Sequence, residues 1–244
     1  SSDLSKTFNP PHHYDTVMCQ ESEDGELEWI RDRLVPNYKS GVHTQNKRHS
    51  GVLVTGGTGL VGSAVKKLVQ EKNDSPFFSI DANFLSSSDC DLRDWSSVNQ
   101  LFGDEMPEVV IHLAGKVGGV KANSDQVADF YTDNIMMNTN VLHAAHKHDI
   151  PKLVNMLSSC IYPDKVKYPI KEKYLHDGPP HDSNFGYAYA KRMLEVQSRA
   201  YSQQYFKNFI SVIPNNIFGE NDNFHRNDSH VIPAIIRKMH EAKN

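Results

Sequence analysis

From residue 51 onward the chain alternates short apolar runs with longer stretches of helical spacing. Val52-Leu53-Val54-Thr55 is the first run, and its unbroken apolar character suits a parallel strand covered on both faces. The stretch 60–72 follows, with Val61, Val65, Leu68 and Val69 at helical spacing. Runs at 83–86, 109–113, 153–157 and 209–213 predict further strands, and stretches at about 94–102, 124–148 and 187–206 predict helices between them. This alternation implies βαβ units: an α/β fold with a doubly wound parallel sheet of the Rossmann type and helices on both faces.

Residues 1–50 break that pattern. They are polar, with Asn9-Pro10-Pro11-His12-His13 and the acidic Glu21-Ser22-Glu23-Asp24. Within them, 24–34 places Leu27, Ile30 and Leu34 on one helical face, with Asp24 as a cap and Pro36 as a stop. The segment reads either as a flexible extension or as a short helix docking on the main domain. It is too acidic for an Arg-rich transit peptide.

Composition narrows the class. The 244 residues are 38% hydrophobic and 23% charged, with 14 Gly and 12 Pro, which excludes collagen-like and low-complexity chains. Lys and Arg total 26 against 30 Asp and Glu, a net charge of −4 that offers no basic field to nucleic acid or an anionic membrane. No apolar run approaches the roughly 20 residues that cross a bilayer. Cys19, Cys90 and Cys160 are odd in number and scattered, so a reducing compartment is expected, not a disulfide framework. With no signal peptide ahead of the fold, a soluble cytoplasmic protein is the expectation.

Thr55-Gly56-Gly57-Thr58-Gly59-Leu60-Val61-Gly62 lies between the first strand and the first helix. Gly56 permits the tight turn, Gly59 the approach of backbone N–H groups to a pyrophosphate, and Gly62 close packing of helix on strand. A pyrophosphate there rests at a helix N-terminus, where orphan N–H groups and the dipole favour an anion. The second strand should end at Ser86-Ser87-Ser88, with Asp81 before it instead of at its end. Hydroxyls there tolerate a 2′-phosphate that a carboxylate would repel, which favours NADP although the run holds no Arg or Lys. Asp91 and Leu92, just after, are placed to contact the adenine edge.

Tyr187 and Lys191 are four apart and share a helical face. An ammonium beside a phenol stabilises the phenolate and is expected to lower its pKa toward the working range. Ser158, at the end of a predicted strand, supplies a hydroxyl that can orient a substrate carbonyl where ligands sit in open α/β sheets.

Together these features resemble the extended short-chain dehydrogenase/reductase superfamily and, within it, the GDP-L-fucose synthase family. The likeness runs from about Gly51 to Asn244. Its most specific pieces are His112-Leu113-Ala114-Gly115-Lys116-Val117-Gly118-Gly119 and Ser158-Ser159-Cys160-Ile161-Tyr162-Pro163. A third is 219–242, with Asp222-Asn223-Phe224-His225 and Ser229-His230-Val231-Ile232-Pro233-Ala234.

The resemblance implies 3,5-epimerisation and NADPH-dependent 4-reduction of a GDP-linked 4-keto-6-deoxyhexose. It implies a dinucleotide-binding domain over 51–219, and over 220–244 the beginning of a smaller substrate lobe that continues further in family members. As cofactor contacts it carries over Gly56, Gly57, Thr58, Gly59, Leu60, Val61, Gly62, Ser87, Asp91, Leu92, Leu113 and Ala114. It adds Met156, Leu157, Tyr187, Lys191, Pro214, Asn216, Ile217 and His230. As substrate contacts it carries over Ser158, Asn134, Asn216 and Lys238. Asn215 follows Pro214 where the family usually has Thr. Two long helices per subunit form a four-helix interface in the family, so a homodimer is expected.

Reduction uses Ser158, Tyr187 and Lys191 and gives no role to a thiol; epimerisation does. A C4 ketone acidifies the protons at C3 and C5, and inversion needs a base on one face and an acid on the other. Cys160, two residues from Ser158 at the strand end, and His230, at the start of a predicted helix whose dipole lowers its pKa, fit those parts. The bland alternatives are a small buried hydrophobe for Cys160 and an ordinary surface or core histidine for His230. A 4-epimerase or 4,6-dehydratase of the same superfamily is a rival, although Ser159-Cys160 lacks the acidic residues that the dehydratase places there. A non-catalytic dinucleotide-binding scaffold is the other. His143, His146 and His148 cluster on one helix with no carboxylate or Cys at ligand spacing, so no metal is expected.

Overall fold

The computed structural model describes residues 51–74, 79–226 and 228–243. The expected helix at 24–34 lies outside them. Five parallel strands, β1 (Val52–Thr55), β2 (Ala82–Leu85), β3 (Val109–His112), β4 (Lys152–Met156) and β5 (Asn208–Val212), form one sheet in the order β2-β1-β3-β4-β5. Strand order reverses beside β1, with β2 on one side and β3 on the other. That reversal opens a crevice at the carboxyl ends.

Among the described residues, six α-helices connect and flank the strands: α1 (Leu60–Asn73), α2 (Trp95–Glu105), α3 (Val120–Asp125), α4 (Val127–Lys147), α5 (Phe185–Tyr205) and α6 (Val231–Lys243). The core lies under the sheet and the α4–α5 pair, where Leu53, Phe102, Val110, Leu142, Leu153 and Leu194 are all buried. Burying a side chain of that size contributes about 1.5–3 kcal/mol.

All five expected strands form, several displaced by one residue. Leu113 and Leu157 still accept the apolar environment after the ladder has formally ended, with Leu113 N–H on the Thr55 carbonyl and Leu157 N–H on the Val212 carbonyl. Polar Lys152 and Asn208 begin β4 and β5, where hydrophobicity gives no signal. The expected helix at 124–148 is two helices with a break at Gln126 (φ −127°, ψ 42°). The short α3 is tied to the preceding loop: Asn123 Nδ2 donates to the carbonyls of Gly118 (2.7 Å) and Gly119 (3.1 Å).

A buried polar chain crosses this apolar interior. Asn138 Nδ2 donates to the Ala190 carbonyl on α5 (3.4 Å), which leaves its Oδ1 as acceptor. His112 Nε2 therefore donates to that Oδ1 (3.0 Å), and His112 Nδ1 accepts from the Thr55 hydroxyl (2.8 Å). Thr55 Oγ1 in turn accepts from the Ala114 amide (3.4 Å). Thr55, His112 and Asn138 are wholly buried, and burial holds the imidazole neutral, its pKa brought down to about 3. Replacing His112 with Leu strands the Thr55 hydroxyl and the Asn138 carbonyl oxygen at about 1–3 kcal/mol each. The expected result is a drop of about 2–5 kcal/mol in the urea-unfolding free energy of His112→Leu. An unchanged midpoint would show the chain to be incidental.

Candidate active site

The carboxyl ends of all five strands open into one cavity of about 970 Å³. At the end of β1, Gly56 adopts φ +71°, and a Cβ there would lie 2.8 Å from the Ala114 nitrogen. A Cβ on Gly62 would lie 2.3 Å from the Gly56 carbonyl oxygen, so only glycine lets α1 start this close to the loop. Gly59 is the N-cap of α1 and offers no side-chain cap, which leaves the first-turn amides of a helix N-terminus toward the cavity. Thr58, Gly59, Leu60, Val61 and Gly62 line it as expected. Gly57 does not. It is buried against β2, with its N–H on the Leu85 carbonyl (2.7 Å) and a virtual Cβ 2.6 Å from Phe84 Cβ, so its role is packing.

Beyond β2 the chain turns sharply. Ser86 donates through N–H (2.7 Å) and Oγ (2.6 Å) to Asp89 Oδ2, so Asp89 is folded back on the turn while Ser87 lines the cavity. Asp81 sits before β2, at the opposite end of the strand. Asp91 and Leu92 line the cavity, and so does a cation that lies outside the serine run. Arg93 forks onto Asp91 (Nε to Oδ1 2.9 Å, Nη2 to Oδ2 2.8 Å) and reaches Asp133 Oδ1 on α4 (3.2 Å). The guanidinium holds the Asp91 carboxyl at about 2. Lys116 Nζ binds the other Asp133 oxygen (3.0 Å). The alternating charges tie three separate segments together at the rim of the cavity.

Leu113 and Ala114 line the cavity after β3, as do Met156, Leu157 and Ser158 after β4. Asn134 does not line it. Its Oδ1 accepts from the Lys116 amide (3.0 Å), and its Nδ2 donates to the carbonyls of Lys116 (3.0 Å) and Phe130 (2.7 Å). A fully buried amide so occupied shapes the wall from behind and leaves no free group for a substrate.

Ser158, Cys160, Tyr187 and Lys191 converge. Ser158 and Cys160 were expected on a strand end, but β4 stops at Met156 and Cys160 sits in the 3-10 turn Ser159–Ile161. Ser158 Oγ caps that turn by accepting from the Cys160 amide (3.4 Å), which keeps both side chains on the cavity. Gly186 allows α5 to start against α4, since a Cβ there would lie 2.5 Å from the Val127 carbonyl oxygen. Tyr187 follows, edge-on to Phe130 and beside Ser158 on the cavity wall.

Lys191 is buried and donates to the Met156 carbonyl (2.9 Å), with Nζ 6.0 Å from the Tyr187 ring centroid. The phenol is not lowered as expected. Burial, reinforced by Cys160, pushes it well above its ordinary value, and the Ser158 hydroxyl offsets only part. Burial likewise brings the Lys191 ammonium down to about 8. Tyr187 therefore keeps its proton at neutral pH and is set up to give one.

On the far wall, Pro214, Asn216, Ile217 and His230 line the cavity. Asn215 turns its carboxamide onto the Asn216 amide (Oδ1 to N 2.9 Å), while Asn216 Oδ1 accepts from Ser159 Oγ (3.4 Å). His230 immediately precedes α6, its carbonyl accepting from the Ala234 amide (3.0 Å). Lys238 is exposed on α6 and outside the cavity lining. Among the described residues no group of three His, Cys, Asp or Glu is placed to hold a metal. His143 pairs with Tyr201 (3.2 Å), and His146 stacks on Tyr205. No helix among the described residues is long and apolar enough to cross a membrane.

The model of the NAD dependent epimerase/dehydratase family matches residues 52–244. The chain belongs to that family. It is 47% identical to GDP-L-fucose synthase of Dictyostelium discoideum over 199 residues, 82% of this chain and 61% of that protein. It is 38% identical to GDP-L-fucose synthase of Escherichia coli K12, covering 78% of this chain and 58% of that protein. Among solved structures, a GDP-L-fucose synthetase from Naegleria fowleri bound to NADP superposes with a TM-score of 0.71 at 41% identity, covering 82% of this chain and 60% of that one. The chain thus spans about three fifths of the length of these relatives.

The family match covers the glycine loop and the Ser158, Tyr187, Lys191 cluster. It does not by itself give the protonation states, which follow from burial. Lys191 binds fewer protons folded than unfolded between about pH 8 and its ordinary value of 10.5. Stability should therefore rise with pH across that window. The expected outcome is a rising urea midpoint from pH 8 to 10 in the wild type, relative to a flat difference curve for Lys191→Met. Parallel curves for the two proteins would mean that Lys191 titrates normally.

Proposed function

We propose that this protein acts as a GDP-L-fucose synthase: it inverts C3 and C5 of GDP-4-keto-6-deoxy-D-mannose and reduces C4 with NADPH. The observation that carries this reading is a thiol, Cys160, in the same cavity as Ser158, Tyr187 and Lys191. A reductase alone has no use for it. The dinucleotide-binding domain spans 51–219, and 220–244 begin the lobe that faces the sugar. The relatives from Dictyostelium discoideum and Escherichia coli carry this name, and identity near half to the first supports the transfer.

The residues fit NADP(H). Uncapped amides at the start of α1 suit the pyrophosphate, Asp91 and Leu92 the adenine edge, and Ser87 with Arg93 the 2′-phosphate. When bound, the cofactor supplies the hydride that C4 receives. Ser158 orients the C4 carbonyl and Tyr187 gives its proton to the C4 oxygen; Lys191 would hydrogen-bond the cofactor ribose, and its positive charge stabilises the phenolate left behind, which regains a proton from solvent. For inversion, Cys160 takes a proton from the carbon next to the ketone, the C–H electron pair moves into an enolate, and His230 returns a proton from the other face. Asn216 faces the sugar from the β5 side. Homodimerisation through α4 and α5 and a reducing cytoplasmic setting, which suits the free thiols of Cys90 and Cys160, complete the reading.

Cys160→Ser should separate the two chemistries. Solvent deuterium at C3 and C5 should enter about 10²–10⁴-fold more slowly, while NADPH oxidation against the un-inverted ketone persists. Tyr187→Phe should do the reverse. Wild-type exchange in Cys160→Ser, followed by NMR, would reduce the thiol to a structural part. A separate titration addresses the cofactor. One charge-assisted contact to the 2′-phosphate should favour NADPH over NADH by about 10- to 100-fold in fluorescence titration. Equal affinities would remove Ser87 and Arg93 from that role.

A further inference from the structure

One buried cation has no task in the chemistry above. Arg192 follows Lys191 on α5 and is only 4% exposed. Its Nε donates to the Ile161 carbonyl (2.7 Å), and the guanidinium lies 5.4 Å from the Tyr189 ring centroid. Its Nη2 is buried with no hydrogen-bond partner. A buried guanidinium is ordinarily held by a carboxylate, yet no ion pair to Arg192 is present among the described residues. So costly an arrangement calls for a reason in its surroundings.

Ile161 closes the 3-10 turn that carries Cys160. The Nε bond therefore fixes the far end of that turn, while the Ser158 hydroxyl fixes its near end through the Cys160 amide. The groups that bear on Cys160 come from two elements: Ser158 from its own turn, and Tyr187, Lys191 and Arg192 from α5. His230 shares the cavity from the start of α6. Burial pushes the thiol up, and the Ser158 hydrogen bond and the charges of Lys191 and Arg192 draw it only part of the way back. Lys191 already serves the Met156 carbonyl and the cofactor side. Arg192 adds a second positive charge at the thiol, smaller in effect than that of Lys191.

We infer that Arg192 is a positioning residue for Cys160, pinning its turn and supplying the second buried positive charge beside it, so that the side chain passes between thiol and thiolate. The inference rests on Cys160 as the base that takes the proton from carbon. When the thiolate accepts that proton it becomes neutral and the electron pair enters the enolate. Arg192 keeps its charge throughout, because a guanidinium does not deprotonate in this range.

Alkylation by iodoacetamide reads the thiolate directly and needs no substrate. Peptide mass spectrometry separates Cys160 from Cys19 and Cys90, and the pH midpoint of its alkylation rate reports ionisation independently of access. In Arg192→Gln and Arg192→Met, which remove the charge, the midpoint should rise by about one unit, making alkylation about tenfold slower at pH 7.5. Arg192→Lys, which keeps a charge, should stay within about threefold of wild type. Wild-type midpoints in a neutral variant that keeps the wild-type thermal transition would overturn the inference. If neither neutral variant folds, Arg192→Lys decides: a midpoint within about half a unit of wild type supports the inference, and a rise of about one unit or more with the charge kept overturns it. Failure of the underlying reading looks different. It appears as unchanged solvent exchange in Cys160→Ser, whatever the alkylation midpoints of the Arg192 variants.

Discussion

The hydrogen-bond chain from Ala114 N–H through Thr55, His112 and Asn138 to the Ala190 carbonyl is the constraint on which the rest of the cavity depends. It joins the ends of β1 and β3 to α4 and α5. Every donor and acceptor in it has one allowed direction, so the chain forms completely or leaves buried polar groups unpaired. Ala190 precedes Lys191, and Thr55 precedes the glycine loop. The chain therefore ties the loop that receives an anion to the helix turn that presents the ammonium and the phenol. An apolar core alone would hold these elements together at a range of relative heights. The polar chain selects one.

Burial then sets the protonation states that the site works with. The enclosure that brings Lys191 down to about 8 also pushes Tyr187 up. Both shifts favour neutral groups, and the rise at Tyr187 keeps the phenol protonated at neutral pH. Arg93, by contrast, sits at the rim, about half exposed, between Asp91 and Asp133. Exposed ion pairs of that kind contribute little stability. Its value is geometric: it orients Asp91 and stands where a further anion can join the network.

The sheet was legible because parallel strands buried on both faces are written as apolar runs, and each of the five appears within a residue of its expected place. Gly56 and Gly62 were legible for a similar reason, since the close approaches there admit only glycine. What escaped was whatever depends on tertiary direction. Nothing in spacing distinguishes Gly57, facing Phe84, from its neighbours facing the cavity. Asn134 sits one helical turn from Phe130 and looks like a wall residue, yet its amide is consumed by backbone at Lys116 and Phe130. Arg93 lies outside the serine run and reaches the site only because the chain folds back after β2. Thr55 and His112 pair across 57 residues, and Asn138 shows its role only when α4 is laid beside β3. The break at Gln126 was hidden because no Gly or Pro marks it in Asn123-Ser124-Asp125-Gln126.

One electrostatic coupling follows from placing Cys160 beside Tyr187. The charge of a Cys160 thiolate raises the Tyr187 pKa further, since two anions in one enclosed space repel. In the proposed chemistry this works in favour of order. Whenever the thiol has lost its proton to begin work at carbon, the phenol holds its own more tightly and cannot act as a second base. Once inversion returns the thiol to its neutral form, that extra hold is released, and Tyr187 gives its proton to the C4 oxygen more readily as hydride arrives. Lys191 and Arg192 stabilise the thiolate, while burial together with the repulsion between Cys160 and Tyr187 keeps both anions from forming at once. Removing the thiol should thus ease proton loss from Tyr187, so the two groups titrate as a pair and neither has a pKa wholly its own.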